Sequence, residues 1–424
     1  MSNKSDEKYH QIFGCVAAQA TRSAIVSKES FKKEEGYPWP RASVEHKDAR
    51  GTIEMRPVVL DERPLIPPDE LARLSQAMWA QREKLTDLEA DALDMLCASW
   101  LTGQKTPKGG VVIDIDDCLK MRGLKPKVNG QGRRGGFEQE QRREMLSAFD
   151  RLSTIWIEMS EMTIYEPNGK ATRGRGRKKN ITVQSRAFVI TDVLGQRRID
   201  GLMDVQRFVA RPGEVFGYFL EGPGRQVALL SAQALKYDPY RQKWEKRLLR
   251  YLAWIWKCEG SDCGTKEFRV SRLLAAVGDD VVGKRAHRTR DRFERALDTL
   301  KADGAICDWQ YGQWDEEIAT ERGWREKWFE APVVIEAPDA LKEHYVLIEE
   351  EMERENPVAA LLAEPVDLCK SLRQARKDRG FSQIQLAEEL GIGQAYLSKI
   401  ESGRVSEKQI GPTLRAKFIS WLRS

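Results

Sequence analysis

Apolar residues recur at helical spacing near the C-terminus, between Ser371 and Gly403. This spacing predicts three short helices in succession, because residues three and four positions apart share one face of a helix. Ser382 is a typical N-cap for the second helix, and Gly391 can take the left-handed conformation that ends it. The inward positions are Leu372, Ala375, Leu386, Ala387, Leu390, Leu397 and Ile400. The third helix therefore has a second, outward side that is free to contact a partner.

The segment resembles the Cro/repressor (XRE-type) helix-turn-helix family in the pattern S-Q-x-x-L-A-x-x-x-G-I-x-x-x-x-L-S-x-x-E-x-G, which begins at Ser382. The resemblance implies a small all-α domain, placed at residues 367–424, that binds double-stranded DNA. In this family the glutamine that opens the second helix holds a phosphate, and early residues of the third helix read bases. By position these roles fall to Gln383 for the phosphate and to Gln394, Ala395, Tyr396, Ser398 and Lys399 for the bases. The alternative is a helical packing module that makes no DNA contact.

Further upstream the pattern alternates between helical and strand-like segments. Thr86 and Glu89 fit a capping box at the start of a helix that ends near Trp100, and two more helices are predicted near Leu119 and over residues 138–152. Two strand-like segments follow, STIWIEMSEMTIYE and ITVQSRAFVITDV, joined by GKATRGRGRKKN. Three helices and a hairpin in this order are typical of a winged helix. We therefore predict a first winged-helix domain at residues 76–234, with Gly169–Asn180 as the tip of its wing.

The same plan is repeated over residues 235–348, which predicts a second winged-helix domain. Its third helix carries Phe293, Ala296, Leu297 and Leu300 where the first unit carries Met145, Ala148, Phe149 and Leu152. Its wing is predicted from strands at Ile306–Tyr311 and Trp328–Glu336. Residues 1–75, which are charged and proline-rich, are predicted to form a flexible or extended arm, and residues 349–366 an acidic, proline-containing linker. The predicted fold class is α+β, with two tandem winged helices followed by a small all-α helix-turn-helix domain.

Tandem winged helices with a long basic first wing resemble the initiator proteins of iteron-type theta-replicating plasmids. The resemblance implies that both units bind repeated origin DNA, that the first unit also serves homodimerisation, and that host replication proteins such as the helicase and the host initiator are partners. A repressor-type module is not part of that family's usual pattern. Three functions therefore remain open: replication initiation, transcriptional repression for a mobile element, and partition or architectural bridging of DNA.

The net charge of +5 is modest for 424 residues, so attraction to DNA must come from clustered cations. The joining segment of the first wing carries Lys170, Arg173, Arg175, Arg177, Lys178 and Lys179. The third helix of the second unit and its approach carry Lys284, Arg285, His287, Arg288, Arg290, Arg292 and Arg295. The corresponding place in the first unit carries Arg133, Arg134, Arg142 and Arg143. We expect about half of these side chains in the third-helix clusters to contact DNA, and the rest to pair with acids or face solvent.

The sequence gives little support for an enzyme. Residues 278–285, GDDVVGKR, resemble a phosphate-binding loop but end in Arg where Ser or Thr should ligate magnesium. The four histidines are scattered, so a nickase-type metal site is not expected. Seven cysteines without CxxC spacing favour reduced thiols, and neither a signal peptide nor a membrane-spanning run is evident. We therefore expect a cytoplasmic, bacterial, nucleoid- or plasmid-associated protein without metal, cofactor or membrane partner.

Overall fold

The computed structural model describes residues 8–46, 49–61, 66–128, 134–164, 177–179, 182–197, 203–220, 226–278, 286–314, 323–355 and 368–402, with Leu414, Phe418 and Trp421. The chain forms two compact units. The first comprises residues 1–162 and 179–345, and the second comprises residues 163–178 and 346–424. Among the described residues, no helix is both long enough and apolar enough to cross a membrane.

Strands and helices alternate along most of the described chain. The strands are β1 (Tyr9–Phe13), β2 (Arg41–His46), β3 (Ala49–Met55), β4 (Val111–Asp114), β5 (Lys127–Val128), β6 (Arg134–Gly136), β7 (Ile155–Ile164), β8 (Arg177–Lys179), β9 (Val183–Arg186), β10 (Phe188–Arg197), β11 (Met203–Pro212), β12 (Val227–Ser231), β13 (Thr265–Arg269), β14 (Asp308–Tyr311) and β15 (Pro332–Glu336). The helices are α1 (Val16–Val26), α2 (Pro68–Glu83), α3 (Asp87–Thr102), α4 (Ile115–Met121), α5 (Gln139–Ser153), α6 (Glu214–Gly217), α7 (Gln233–Lys236), α8 (Lys243–Glu259), α9 (Val270–Val277), α10 (Ala286–Ala302), α11 (Trp324–Glu330), α12 (Asp339–Glu355), α13 (Leu368–Asp378), α14 (Gln383–Leu390) and α15 (Gln394–Glu401).

The first winged helix consists of α3, α4 and α5 packed on a three-stranded antiparallel sheet of order β10–β11–β4. Thr86 caps α3, and the Glu89 carboxylate accepts a hydrogen bond from the backbone N–H of Thr86, which completes the predicted capping box. Asp114 ends β4 and caps α4 by accepting from the N–H of Asp116, so strand and helix join without a loop.

The second winged helix repeats this arrangement with α8, α9 and α10 and a sheet of order β13–β15–β14. In both sheets the last strand lies between the first two, and the first strand leads directly into the second helix. The equivalent core positions are buried in both domains: Met145, Ala148, Phe149 and Leu152 in α5, and Phe293, Ala296, Leu297 and Leu300 in α10. The predicted fold class, a tandem pair of winged helices before a helical domain, is confirmed.

The N-terminal segment is folded, so the prediction of a flexible arm is wrong. β1 pairs with β12 through five residues, and β2 and β3 join β7 in a larger sheet. Ile12 and Phe13 are buried, and α1 buries Ala17, Ala18 and Ile25. Strands β1 and β3 of this segment pair with strands about a hundred to two hundred positions away in the sequence. A local hydrophobic period therefore does not predict them.

The wing of the first domain was also predicted in the wrong place. β7 lies in a five-stranded sheet of order β2–β3–β7–β8, with β9 paired to β7, whereas the hairpin of the winged-helix sheet is β10 with β11. The segment predicted as one strand therefore consists of two strands in two sheets, separated by Ala187. A Cβ on Gly213 would lie 1.7 Å from the carbonyl oxygen of Arg186, so only glycine allows the chain to pass this corner. Residues 198–202, which follow β10 and precede β11 in the sequence, lie outside the described residues.

The second wing contains a helix where the sequence pattern predicted a strand. Trp328 lies in α11, and the strand starts only at Pro332. The Trp328 ring is fully buried with its centroid 6.0 Å from that of Phe293, so the helix closes the core of this domain. The spacing of Trp324 and Trp328 is helical, which explains the difference. α12 likewise continues to Glu355, through the start of the predicted linker.

The helices α13, α14 and α15 lie in the second unit and pack on one another. Their shared core contains Leu372, Leu386, Ala387, Leu390, Leu397 and Ile400, with Phe418 and Trp421 packed against them. Arg379 lies over the Trp421 ring, 4.5 Å from its centroid, and donates a hydrogen bond to the Trp421 carbonyl oxygen. Residues near the C-terminal end of the chain therefore complete this core.

Candidate nucleic-acid interface

Both ends of α14, and the turn from α14 to α15, have the geometry that the sequence predicts. The Ser382 hydroxyl accepts from the N–H of Gln385 at 3.2 Å, and the Gln385 amide oxygen accepts from the N–H of Ser382 at 2.9 Å. Gly391 has φ of 66°, in the left-handed region, and ends α14. Gly393 is the N-cap of α15 and supplies no side-chain hydrogen bond. The start of α15 therefore lacks a side-chain cap, and other contacts must hold this helix.

A charged network joins the three helices beneath this turn. The Arg376 guanidinium donates to both carboxylate oxygens of Glu401, at 2.6 and 2.9 Å, and to the carbonyl oxygen of Phe381 at 2.8 Å. Glu401 also accepts from the side-chain amide of Gln383 at 2.8 Å. Burial alone would raise the pKa of Glu401, but the hydrogen bonds from Arg376 and Gln383 hold it below the ordinary value. The carboxylate therefore fixes α15 against α13 and α14.

The outward edge of α15 carries the predicted base-reading residues. Gln394, Ala395, Tyr396 and Lys399 are exposed, and Ser398 is half-buried. The Gln394 amide donates to the Gln383 side-chain oxygen at 3.2 Å, so Gln383 supports Gln394 while keeping one amide N–H for a phosphate. Glutamine and lysine side chains supply hydrogen-bond donors, and glutamine also supplies an acceptor. These groups can pair with the base edges in a major groove.

Three arginines line the outer side of α10 in the second winged helix. Arg288, Arg292 and Arg295 are exposed, and the Arg292 guanidinium lies 4.5 Å from the centroid of the Trp244 ring. Arg290 instead lies 3.3 Å from Glu294, and only 15% of its side chain is exposed. His287 stacks on Trp324 of α11, with centroids 4.2 Å apart. The third helix of this domain thus has a basic outer side, and its N-terminal turn contacts the wing helix.

The matching helix of the first domain is less basic on its outer side. Arg142 donates to both carboxylate oxygens of Asp116, at 2.6 and 2.7 Å, and this pair connects α5 with α4. Arg143 is exposed, with Glu140 at 3.8 Å. Arg134 begins β6, and its side chain is not described. Of the predicted cations that the structure describes on α5, Arg143 is the one directed to solvent.

Several predicted DNA contacts fall where the structure gives no side-chain position. Lys170, Arg173, Arg175, Arg133, Lys284 and Arg285 lie outside the described residues, and Arg177, Lys178 and Lys179 form β8. Because β8 belongs to the sheet of β7, the basic segment is an insertion between strands of that sheet rather than the wing. Its contact with DNA remains a prediction.

A buried set of charges between the two winged helices was not predicted from the sequence. Asp87, Asp91 and Asp94 of α3 are fully buried and face Lys246, Arg247 and Arg250 of α8. Arg22 of α1 donates to Asp94 at 2.6 Å, and Arg151 of α5 donates to Glu89 at 2.7 Å. Four acids within a helix whose other positions are largely apolar were the available signal, because a buried acid requires a cation.

Within the described residues, no group of three or more His, Cys, Asp or Glu side chains is arranged to hold a metal ion. The described surfaces offer exposed amides and cations to a nucleic acid. The three C-terminal helices have the fold of a helix-turn-helix DNA-binding domain, and two winged helices precede them in the chain.

Comparison with known proteins agrees with a helix-turn-helix fold for the C-terminal module. Residues 372–409 match the helix-turn-helix family model. Comparison with curated proteins gave no match. Two crystal structures of domains 2 and 3 of RctB, one of them of selenomethionine derivatives, align with 77% of this chain and 99% of their own chains. Sequence identity is 12% and the TM-score is 0.37, which is too low to transfer any property.

Proposed function

We propose that the protein binds specific double-stranded DNA sequences and acts as a plasmid-type replication initiator at repeated origin sites. The exposed edge of α15, with Gln394 supported by Gln383, carries the DNA-binding part of this proposal. The initiator part is supported by two winged helices of the same topology within one compact unit, an arrangement suited to reading two neighbouring DNA segments. No chemical step is assigned to the protein, and host replication proteins and a second copy of the chain are proposed partners.

The DNA-binding part can be tested with the full chain and random duplex DNA. Repeated selection should enrich one sequence, and Gln394→Ala/Lys399→Ala should reduce affinity for that sequence more than affinity for random duplex. Ile384→Ala is a matched control, because this exposed side chain of α14 is not assigned to DNA. Equal binding of enriched and random duplexes by the unaltered chain would contradict sequence-specific recognition.

The initiator part requires a replication assay. A small circle that carries the DNA adjacent to the gene should replicate in a bacterial host only when the protein is supplied. The double variant Gln394→Ala/Lys399→Ala serves as a second arm, and it should support less replication if the C-terminal module contributes. Absence of replication, together with repression of the adjacent promoter, would instead support the transcriptional repressor. That rival is favoured by the resemblance of the segment from Ser382 to Gly403 to the Cro/repressor family.

A further inference from the structure

The two winged helices are joined by buried ion pairs between their first helices. Lys246 donates to both carboxylate oxygens of Asp91, at 2.9 and 2.8 Å, and also to the carbonyl oxygen of Ala234 at 2.6 Å. Arg250 donates to Asp94 at 2.7 Å, and Arg247 donates to Asp87 at 2.8 Å. We call these six residues of α3 and α8 the interdomain cluster. All six side chains are 13% exposed or less, so water does not replace a lost partner.

The cluster is also connected to elements that position the third helix of each domain. Arg247 donates to the carbonyl oxygen of Val277, the last residue of α9, at 2.6 Å, and to that of Val26 at 3.1 Å. In the first domain α3 packs directly on α5, and β1 and β12 pair with one another while packing on α3 and α8 respectively. A change in the angle between α3 and α8 would therefore alter the relation between α5 and α10.

Buried ion pairs define an orientation more sharply than apolar contacts do. Apolar surfaces can slide past each other with little change in buried area, whereas a displaced carboxylate in a dry interface loses its cation. Asp94 shows how tightly the charges are matched, because it accepts from both Arg22 and Arg250. Burial alone would raise the pKa of Asp94, but the two guanidinium groups hold it below the ordinary value.

We propose that the interdomain cluster fixes the separation and relative rotation of α5 and α10, so that the protein selects the spacing between two DNA sub-sites. The proposal rests on the proposed DNA-binding function of the winged helices. A turn of DNA contains about 10.5 base pairs, so each inserted base pair rotates one sub-site about the DNA axis relative to the other. If α5 and α10 are held rigidly, they can contact both sub-sites at only one spacing. The cluster residues are positioning residues that do not touch DNA.

The test uses the full chain and the duplex that it enriches from a random pool. Hydroxyl-radical footprinting first identifies the block lost in Arg143→Ala and the block lost in Arg288→Ala, which assigns one sub-site to each winged helix. Spacer insertions of about two and about five base pairs should each weaken binding by the unaltered chain about tenfold or more, because only one sub-site can be engaged. Asp91→Leu/Lys246→Met removes the pair between these two residues and the contact of Arg250 with Asp91, but it retains side-chain volume. It should reduce this penalty to about threefold or less.

One control variant and the two footprint blocks separate the possible failures. Asp339→Leu/Lys342→Met removes an exposed ion pair within α12 and should retain the full spacing penalty. If neither footprint block responds to Arg143→Ala or Arg288→Ala, the proposed DNA-binding role of the winged helices is wrong. If the blocks respond but Asp91→Leu/Lys246→Met keeps the full penalty, the role of the cluster is wrong. Should that variant fail to fold, Arg247→Lys decides in the same way, because lysine cannot reach Asp87, Val277 and Val26 together.

Discussion

The two winged helices have equivalent cores and different outer surfaces. Phe149 and Leu297 occupy equivalent buried positions, and the strands of both sheets follow the same order. On the outside, Arg142 of α5 is bound to Asp116, whereas Arg288 and Arg295 of α10 are exposed. Core packing depends on volume and spacing, which a repeat conserves, whereas a surface cation can be bound by any nearby acid. The repeat therefore predicts the shared fold but not a shared affinity for DNA.

The largest expected effect tests the equivalence of the two cores. Phe149→Ala and Leu297→Ala should each lower the free energy of unfolding by about 2–5 kcal/mol, because each leaves a cavity in a packed core. Unfolding in guanidinium chloride, followed by circular dichroism, measures the free energy of unfolding of both variants. The exposed substitutions Ser147→Ala in α5 and Arg295→Ala in α10 should change the free energy by about 0.5 kcal/mol or less. A large loss from only one of the two core variants would show that the cores are not equivalent.

The second prediction concerns the charges that connect the two domains. Lys246→Met alone should lower the free energy of unfolding by about 3 kcal/mol, because it leaves the buried Asp91 without its main cation. Asp91→Leu/Lys246→Met should recover most of that loss, since no isolated charge remains between these positions. The same denaturation assay provides both values. Equal losses from the single and double variants would indicate that lost packing, rather than an isolated charge, causes the effect.

A third prediction concerns the C-terminal module, which should differ from the winged helices by reading bases. Lys399→Ala should lose about 1–3 kcal/mol of discrimination between the enriched duplex and a duplex altered at one base pair. Its affinity for random duplex should change little, because Lys399 is assigned to a base rather than to a phosphate. Competition titrations measure the ratio of the two affinities. Arg288→Ala is the matched contrast, and it should weaken binding to both duplexes alike.

The difference between the two outer surfaces should appear in the salt dependence of binding. Each phosphate contact contributes about −0.9 to the slope of log affinity against log salt. Arg288→Ala/Arg295→Ala should therefore flatten the slope by about 1–2, whereas Arg142→Ala should leave it nearly unchanged because Asp116 already binds that side chain. Fluorescence anisotropy over a range of salt concentrations gives the slopes. An equal effect of the two variants would contradict the surface difference described above.

The smallest expected effect is a pH dependence specific to the C-terminal module. The pKa of Glu401 is lowered in the folded chain, so its contribution to stability is present above the ordinary glutamate pKa of about 4.3. That contribution is lost as the pH falls through the lowered value. The difference in free energy of unfolding between Glu401→Gln and the unaltered chain should therefore decrease as the pH is lowered from about 7 to about 3. A difference that stays constant over this range in thermal unfolding would show that folding does not lower the pKa of Glu401.

Local signals explain which parts of the fold the sequence could predict. Ser382 and Gly391 mark the two ends of α14, and the capping box of Thr86 and Glu89 marks the start of α3. The period of a strand shows that one face is buried, but it does not identify the partner strand. β7 was therefore recognised as a strand and assigned to the wrong sheet, because its neighbour β3 is about a hundred residues earlier.

The site was predictable to a similar extent. The outward edge of α15 followed from helical spacing, since Leu397 and Ile400 had to face the core. Spacing could not distinguish Arg142 from Arg143, because the acid that binds Arg142 belongs to another helix. The interdomain cluster was missed for the same reason, although four acids in α3 required cations from elsewhere in the fold.

Ala187 makes the two sheets of the N-terminal half mechanically continuous. It is the one residue between β9 and β10, its N–H donates to the carbonyl oxygen of Ile155, and its own carbonyl oxygen accepts from the N–H of Gly213. Tension applied to the strands around β7 is therefore carried into the wing hairpin through one peptide held at both sides.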